Sequence, residues 1–186
     1  MKCVIVVDMQ KDFVHQNLGT LEAKSIIPNI ITELEEYREE GAYLIFTQDT
    51  HDANYLNIME GKKLPVPHCI LGTEGWEIID ELAAYTIDAD FSHPDLAPYA
   101  AEGKIYKPTF GSLDLVNLLY NLEESIDEIV LMGVCTGICV ISNTLLLKAA
   151  FPNIPIKVVE NCCACVSPNT HKTAIEAMKL CHIDII

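Results

Sequence analysis

Short apolar runs and helical stripes follow one another along the chain. Cys3 to Val7 is an unbroken apolar run that stops at Asp8, the pattern of a strand buried on both faces. From Pro28 to Glu40, residues Ile30, Ile31, Leu34 and Tyr37 form a helical stripe; Pro28 suits the first turn and Gly41 the stop. Ala42 to Thr47 reads as a second strand. Leu113 to Leu122, after Ser112, reads as another amphipathic helix. Glu128 to Met132 is the next strand, with a helix from about Gly137. Ile156 to Val159 is a further strand. Ser167 and Pro168 open a helix that runs to about Cys181, with Ala174, Ile175, Met178 and Cys181 on one face. Ile183 to Ile186 reads as a last short edge strand.

Strands that are nearly all apolar, alternating with helices, predict a parallel sheet covered on both faces. The expected fold is α/β: three-layer, doubly wound and Rossmann-like. Half of the 186 residues are hydrophobic, and neither a long polar linker nor a repeat divides them, so the expectation is one domain over residues 1–186. Ligands in such folds bind at the carboxyl ends of the strands. Asp8, Asp49 and Gly133 to Cys139 all lie just past strand ends and can converge on one rim. No G-x-G-x-x-G or G-x-x-x-x-G-K-[ST] motif occurs, which leaves nucleotide binding without support.

The formal net charge of −15 argues against nucleic acid and anionic membranes as partners. The apolar runs are too short to span a bilayer. Asp8 interrupts the first run too early for a secretory signal, so the expected location is cytoplasmic. The eight cysteines are Cys3, Cys69, Cys135, Cys139, Cys162, Cys163, Cys165 and Cys181. In a cytosolic chain they read as small buried hydrophobes rather than a disulfide framework. Cys162-Cys163-Ala164-Cys165 is crowded, yet it lacks the paired C-x-x-C knuckles of structural zinc sites.

Candidate chemistry gathers in three places. Gly133-Val-Cys-Thr-Gly-Ile-Cys139-Val reads as strand, tight turn and helix, with Cys139 in the first helical turn. Free N–H groups and the helix dipole favour a thiolate there. Asp8, at the end of a buried strand, loses solvation; a raised pKa suits a base for a thiol, and a loop cap is the plain alternative. Lys107 before Pro108 reads by itself as solvated, but beside a cysteine its charge would lower the thiol pKa. Asp49 and His51 face the same way in an extended segment, and Glu60 and His68 can close the set. Two imidazoles with two carboxylates suit zinc, iron or manganese; solvated loop side chains are the alternative. His15, His93, His171 and His182 have no such company and read as structural.

Taken together and in order, these residues resemble the isochorismatase-like cysteine hydrolase superfamily, nicotinamidases in particular. The resemblance covers nearly the whole chain. It rests on Asp8-x-Gln-x-Asp-Phe13, Asp49-x-His51, Pro67-His68-Cys69 followed by Gly72-Thr73, Lys107-Pro-x-Phe-Gly-Ser112, and Gly133-Val-x-Thr-x-x-Cys-Val140. It implies an amidase that hydrolyses nicotinamide to nicotinate and ammonia through a thioester. Cys139 matches the nucleophile, Asp8 the general base and Lys107 the third catalytic residue. Asp49, His51 and His68 match ligands of a divalent metal, zinc first, and Glu60 a fourth ligand found in some nicotinamidases. Phe13 matches an aromatic that packs on the substrate ring. The N–H groups of Cys135 and Cys139 match the oxyanion hole, and the peptide bond before Cys135 is often cis in this family. The partners implied are a small-molecule amide and other copies of the chain in a homo-oligomer. Many relatives carry Asp or Glu where this chain has Gly137, a departure that bears on the substrate more than on the chemistry. The alternatives are hydrolysis of another small amide or a ureido or carbamoyl compound, and a non-catalytic thiol-rich binding or redox protein using Cys135 and Cys139. The latter leaves Asp8 and Lys107 unexplained.

Overall fold

A computed structural model of the chain describes residues 1–86, 102–122 and 125–186. Among these, β1 (Lys2–Val7), β2 (Tyr43–Asp49), β3 (Glu102–Lys107), β4 (Glu128–Val134), β5 (Ile156–Ala164) and β6 (Asp184–Ile185) form one parallel sheet. Its strand order is β3-β2-β1-β4-β5-β6. The helices are α1 (Lys11–Val14), α2 (Leu21–Ser25), α3 (Ile27–Glu39), α4 (Met59–Lys63), α5 (Leu113–Leu122), α6 (Ile141–Ala150) and α7 (Pro168–Leu180). α3 packs on β2 and β5, while α5, α6 and α7 pack side by side. This is the doubly wound α/β architecture that the alternation implied. None of the described helices is long and apolar enough to cross a membrane.

The interior of the sheet follows from composition. Cys3 to Val7 of β1 and Ile129 to Met132 of β4 are fully buried, so both strands need apolar side chains on both faces. α3 turns Ile27, Ile30, Leu34 and Tyr37 inward and stops before Gly41, whose φ of 75° ends the helix. Ser167 caps α7 through a reciprocal bond with Thr170. Cys181, expected on the buried face of that helix, is instead its exposed C-cap.

Three elements depart from the sequence pattern. β3 lies where the sequence pattern shows no strand, around the Lys107 that reads as solvated. It is a strand at the end of the strand order, where Lys104 and Tyr106 are half-buried and Ile105 and Lys107 are buried, so no apolar run announces it. β5 continues past Val159 through exposed Glu160 and Asn161 to Ala164, with a register shift against β4 between Leu131 and Gly133. The helix expected from Gly137 begins with a π turn over Thr136–Val140, closed by the Val140 N–H donating to the Cys135 carbonyl at 3.1 Å.

β1 is followed across the sheet by β2, and β4 lies on its other side, so the direction of winding reverses between β1 and β4. The crevice beyond such a reversal is where α/β sheets bind ligands. Gly133 sits at this point with φ +116°, and a Cβ there would stand 2.8 Å from the Val7 backbone nitrogen and strike its carbonyl. Glycine therefore sets how closely the two central strands meet beneath the crevice.

Candidate active site

Asp8 directly follows β1, Asp49 ends β2, Lys107 ends β3 and Cys139 lies in the turn after β4. Four strand ends thus bring together residues that are far apart in sequence. Lys107, fully buried, reaches Asp8 Oδ2 at 2.6 Å, Asp49 Oδ1 at 3.4 Å and Cys139 Sγ at 3.5 Å. The Thr109 carbonyl also accepts from its Nζ at 3.2 Å. Asp8 adopts φ 50°, a left-handed conformation that Asp tolerates, and its Oδ1 accepts the Thr47 hydroxyl at 2.6 Å.

The electrostatics follow from burial. Burial raises the Asp8 carboxyl, and the Lys107 ammonium partly offsets this. Burial disfavours the charged Lys107, but the charges of Asp8 and Asp49 outweigh it, so Lys107 stays protonated. The Cys139 thiol is pushed well above its usual range, first by burial and then by the Asp8 charge, against Lys107. This direction runs against the thiolate that a helix N-terminus favours. At 5% exposure, with two carboxylates nearby, the resting sulfur is a neutral thiol.

Beside this triad, Asp49, His51, Glu60 and His68 offer one ligand atom each, all within 4.8 Å of one another. His51 Nε2 lies 3.0 Å from Asp49 Oδ2 and 3.5 Å from Glu60 Oε1; His68 Nε2 lies 3.4 Å and 3.7 Å from the same two oxygens. His68 Nδ1 is 2.8 Å from the Val66 carbonyl, which fixes the ring and leaves Nε2 for the cluster. Tyr55 packs against both imidazoles, at 4.7 Å and 4.9 Å. Burial raises Asp49, but hydrogen bonds from His51 and His68 and the Lys107 charge overcome it and hold the carboxyl below its usual range. Burial, followed by the Asp49 charge, raises Glu60. Two carboxylates crowded against two imidazole nitrogens form a donor set that fits a divalent cation. Cys162, Cys163 and Cys165 form no such group among the described residues.

Both sets border one cavity of about 600 Å³ at the carboxyl end of the sheet. Phe13, His68, Cys135 and Cys139 line it, with an apolar wall that includes Met59, Leu64, Ile138 and Val166. The Phe13 ring lies 5.3 Å from that of His68. The Val134–Cys135 peptide bond is cis, as the resemblance implied. Of the other histidines, His171 bonds the Thr136 hydroxyl at 2.8 Å, His15 lies 3.3 Å from Glu81, and His182 adopts φ 60° after α7. His93 lies outside the described residues.

Sequence reasoning missed how the Asp8–Phe13 motif supports the site. Gln10, fully buried, donates to the Asp49 carbonyl at 2.9 Å and the Trp76 carbonyl at 2.8 Å, and accepts from the Asp49 N–H at 2.7 Å. Asp12 accepts the Cys69 N–H at 2.7 Å, fixing the residue after His68, and a Cβ at Gly75 would strike its carboxylate. A polar residue every second position just past a buried strand was the available signal. Gln10→Ala leaves the Asp49 N–H unpaired and is expected to cost about 2–3 kcal/mol. For a chain of this size that lowers Tm by roughly 4–12 °C; an unchanged thermal unfolding curve would contradict this role.

The sheet order, with a crevice at its point of reversal, defines the class of doubly wound α/β proteins. Within it, residues 2–186 match the family model described as Isochorismatase domain, and the chain belongs to the isochorismatase family; its relatives and structural neighbours include proteins named nicotinamidase and pyrazinamidase. A protein of Arabidopsis thaliana described as a probable inactive nicotinamidase is 29% identical over 95% of this chain and 87% of its own length. The crystal structure of a pyrazinamidase/nicotinamidase from Streptococcus mutans superposes with a TM-score of 0.80 at 25% identity, covering 100% of both chains. A pyrazinamidase of Pyrococcus horikoshii in complex with zinc has the same fold, with a TM-score of 0.76 at 24% identity over 100% of this chain and 98% of that one.

Proposed function

We propose that this protein hydrolyses nicotinamide to nicotinate and ammonia, with Cys139 as nucleophile, Asp8 as general base and Lys107 as the cation between them. The observation that carries this reading is Lys107, in reach of Asp8 at 2.6 Å and of Cys139 at 3.5 Å, beside a cavity that also holds a four-donor cluster. Asp8 takes the Cys139 proton, and the sulfur attacks the amide carbon. A protonated Lys107 stabilises the thiolate as it forms, which suits a thiol that rests neutral. The N–H groups of Cys135 and Cys139 receive the oxyanion, a contribution of a few kcal/mol. Asp8 then protonates the leaving ammonia and activates the water that cleaves the thioester. Phe13 packs on the substrate ring.

Asp49, His51, Glu60 and His68 would hold the metal, zinc by analogy with the Pyrococcus neighbour and iron or manganese otherwise. Bound there, the metal supplies a Lewis acid that holds a substrate ring nitrogen in position. The residues' own contribution is to fix two imidazoles through the Val66 carbonyl and the Tyr55 ring. His51→Ala is expected to lower zinc affinity by more than the roughly 10–100-fold lost with an outer-shell partner. A competition titration against a chromophoric chelator reads this, and unchanged affinity would remove His51 from the ligand set.

One observation favours a second substrate. The wall formed by Met59, Leu64, Ile138 and Val166 is apolar, and the cavity exceeds what a single pyridine ring fills. Another small amide, or a ureido or carbamoyl compound with an apolar substituent, suits that wall. An ammonia-release screen over nicotinamide, pyrazinamide and ureido compounds separates the two. Nicotinamide turnover that disappears in Cys139→Ala supports the first reading. No turnover of nicotinamide, with turnover of a ureido compound, supports the second. Turnover retained by Cys139→Ala sinks both.

A further inference from the structure

We propose that Cys135 and Cys165 form a dithiol at the cavity wall, which hydroperoxides oxidise to a disulfide joining the ends of β4 and β5. The mechanism above uses neither sulfur. The two residues directly follow Val134 and Ala164, which are paired in register, so they stand at adjacent positions past neighbouring strands. Neighbouring strands lie about 4.8 Å apart, inside the roughly 4.4–6.8 Å that separates the Cα atoms of a disulfide. Each thiol shifts the other, with Cys135 raised and Cys165 lowered. Both residues line the cavity, which a small peroxide can enter.

The surroundings of Cys165 are those of an anion. Its Sγ accepts the Gly137 N–H at 3.4 Å. The neighbouring Cys135 thiol foremost, with the Gly137 N–H among the lesser causes, outweighs burial and brings the Cys165 thiol down to about 5. Gly137 admits this arrangement closely, since a Cβ there would stand 3.3 Å from the sulfur. This gives the departure at Gly137 a physical content: the turn leaves room for a sulfur anion beneath it. Cys139 is the opposite case, held as a neutral thiol by burial and by Asp8. A thiolate attacks peroxide and a thiol does not, so Cys165 should react before Cys139.

The reaction balances with peroxide as the only oxidant. The Cys165 thiolate attacks one peroxide oxygen, the O–O bond breaks, and the other oxygen leaves as water or an alcohol after taking a proton. The product is a sulfenic acid at Cys165. The Cys135 sulfur gives up its proton and displaces the hydroxyl, which leaves as water, and the S–S bond forms. Two thiols lose two electrons in all, and one peroxide gains them. A dithiol reductant reverses the process by exchange.

The test uses the full-length protein and hydrogen peroxide. After an acid quench and N-ethylmaleimide blocking, an unreduced digest is mapped by tandem mass spectrometry. The expected first product is a Cys135–Cys165 cross-link that dithiothreitol removes. In Cys165→Ser the cross-link is absent, and oxidation at position 135 slows by at least about tenfold. A first cross-link that contains Cys139, or a Cys165 still free to alkylate after other thiols have oxidised, would overturn the proposal. Should Cys165→Ser not fold, limiting iodoacetamide on the native protein at mildly acidic pH decides the matter. Cys165 is expected to be alkylated before the other cysteines, and slower labelling than at Cys139 overturns it. The readout is the bond itself, so the result stands whatever amide the protein hydrolyses.

Discussion

Lys107→Met is expected to lower stability by about 3–5 kcal/mol, because it strands two buried carboxylates. Lys107 lies between Asp8 at 2.6 Å and Asp49 at 3.4 Å, and all three side chains are buried. The burial cost of each carboxylate is present with or without the lysine; only the compensating charge disappears. For a chain of this length the loss corresponds to a fall in Tm of roughly 6–20 °C. A second substitution tells electrostatics from packing. Asp8→Asn added to Lys107→Met removes one stranded charge and should recover part of the lost stability, while neither variant hydrolyses amide. Additive losses in the double variant would show that the contact between Lys107 and Asp8 is not coupled.

Gly133→Ala is the second large effect. Its Cβ would stand 2.8 Å from the Val7 nitrogen and strike the Val7 carbonyl, in a backbone already at φ +116°. Neither atom can retreat, because Val7 belongs to the central strand and pairs with β2 and β4 on its two sides. The expected loss is at least about 4 kcal/mol, seen as an insoluble protein or as a large fall in Tm. Gly41→Ala is the control. Gly41 also has a positive φ, +75°, but nothing lies within 4 Å of the added Cβ. It should cost only about 1–2 kcal/mol, the price of a left-handed residue alone. Equal losses in the two variants would mean that the meeting of β1 and β4 is not the constraint at Gly133.

What the sequence made legible follows from which residues carry a local signal. β1 and β4 are buried on both faces and must be apolar throughout, so Cys3 to Val7 and Ile129 to Met132 announce themselves. β3 does not, because half-buried Lys104 and Tyr106 alternate with Ile105 and with a lysine that is buried for its chemistry. The end of β5 is hidden for a related reason: Glu160 and Asn161 face solvent within a strand that continues to be paired. The π turn at Thr136–Val140 depends on where β4 ends relative to α6, which no periodicity records.

The candidate site was legible in its residue types and hidden in its electrostatics. Asp8, Asp49, His51, His68, Lys107 and Cys139 stand in short motifs, and the sheet order brings them to one rim. Burial and the Asp8 charge push the Cys139 thiol up against the helix dipole, and neither influence is visible in the local sequence. The adjacency of Cys135 and Cys165 has the same origin, since pairing across β4 and β5 has no counterpart along the chain.

The central claim is a covalent intermediate on one sulfur. The most direct measurement is rapid acid quenching of the protein during turnover of nicotinamide, followed by peptide mapping by mass spectrometry. The account predicts a nicotinoyl thioester on Cys139 that builds up before steady state and is absent from Cys139→Ala. Nicotinate formed with no acyl group on any cysteine, or an acyl group on Cys135 or Cys165 with Cys139 free, would contradict it.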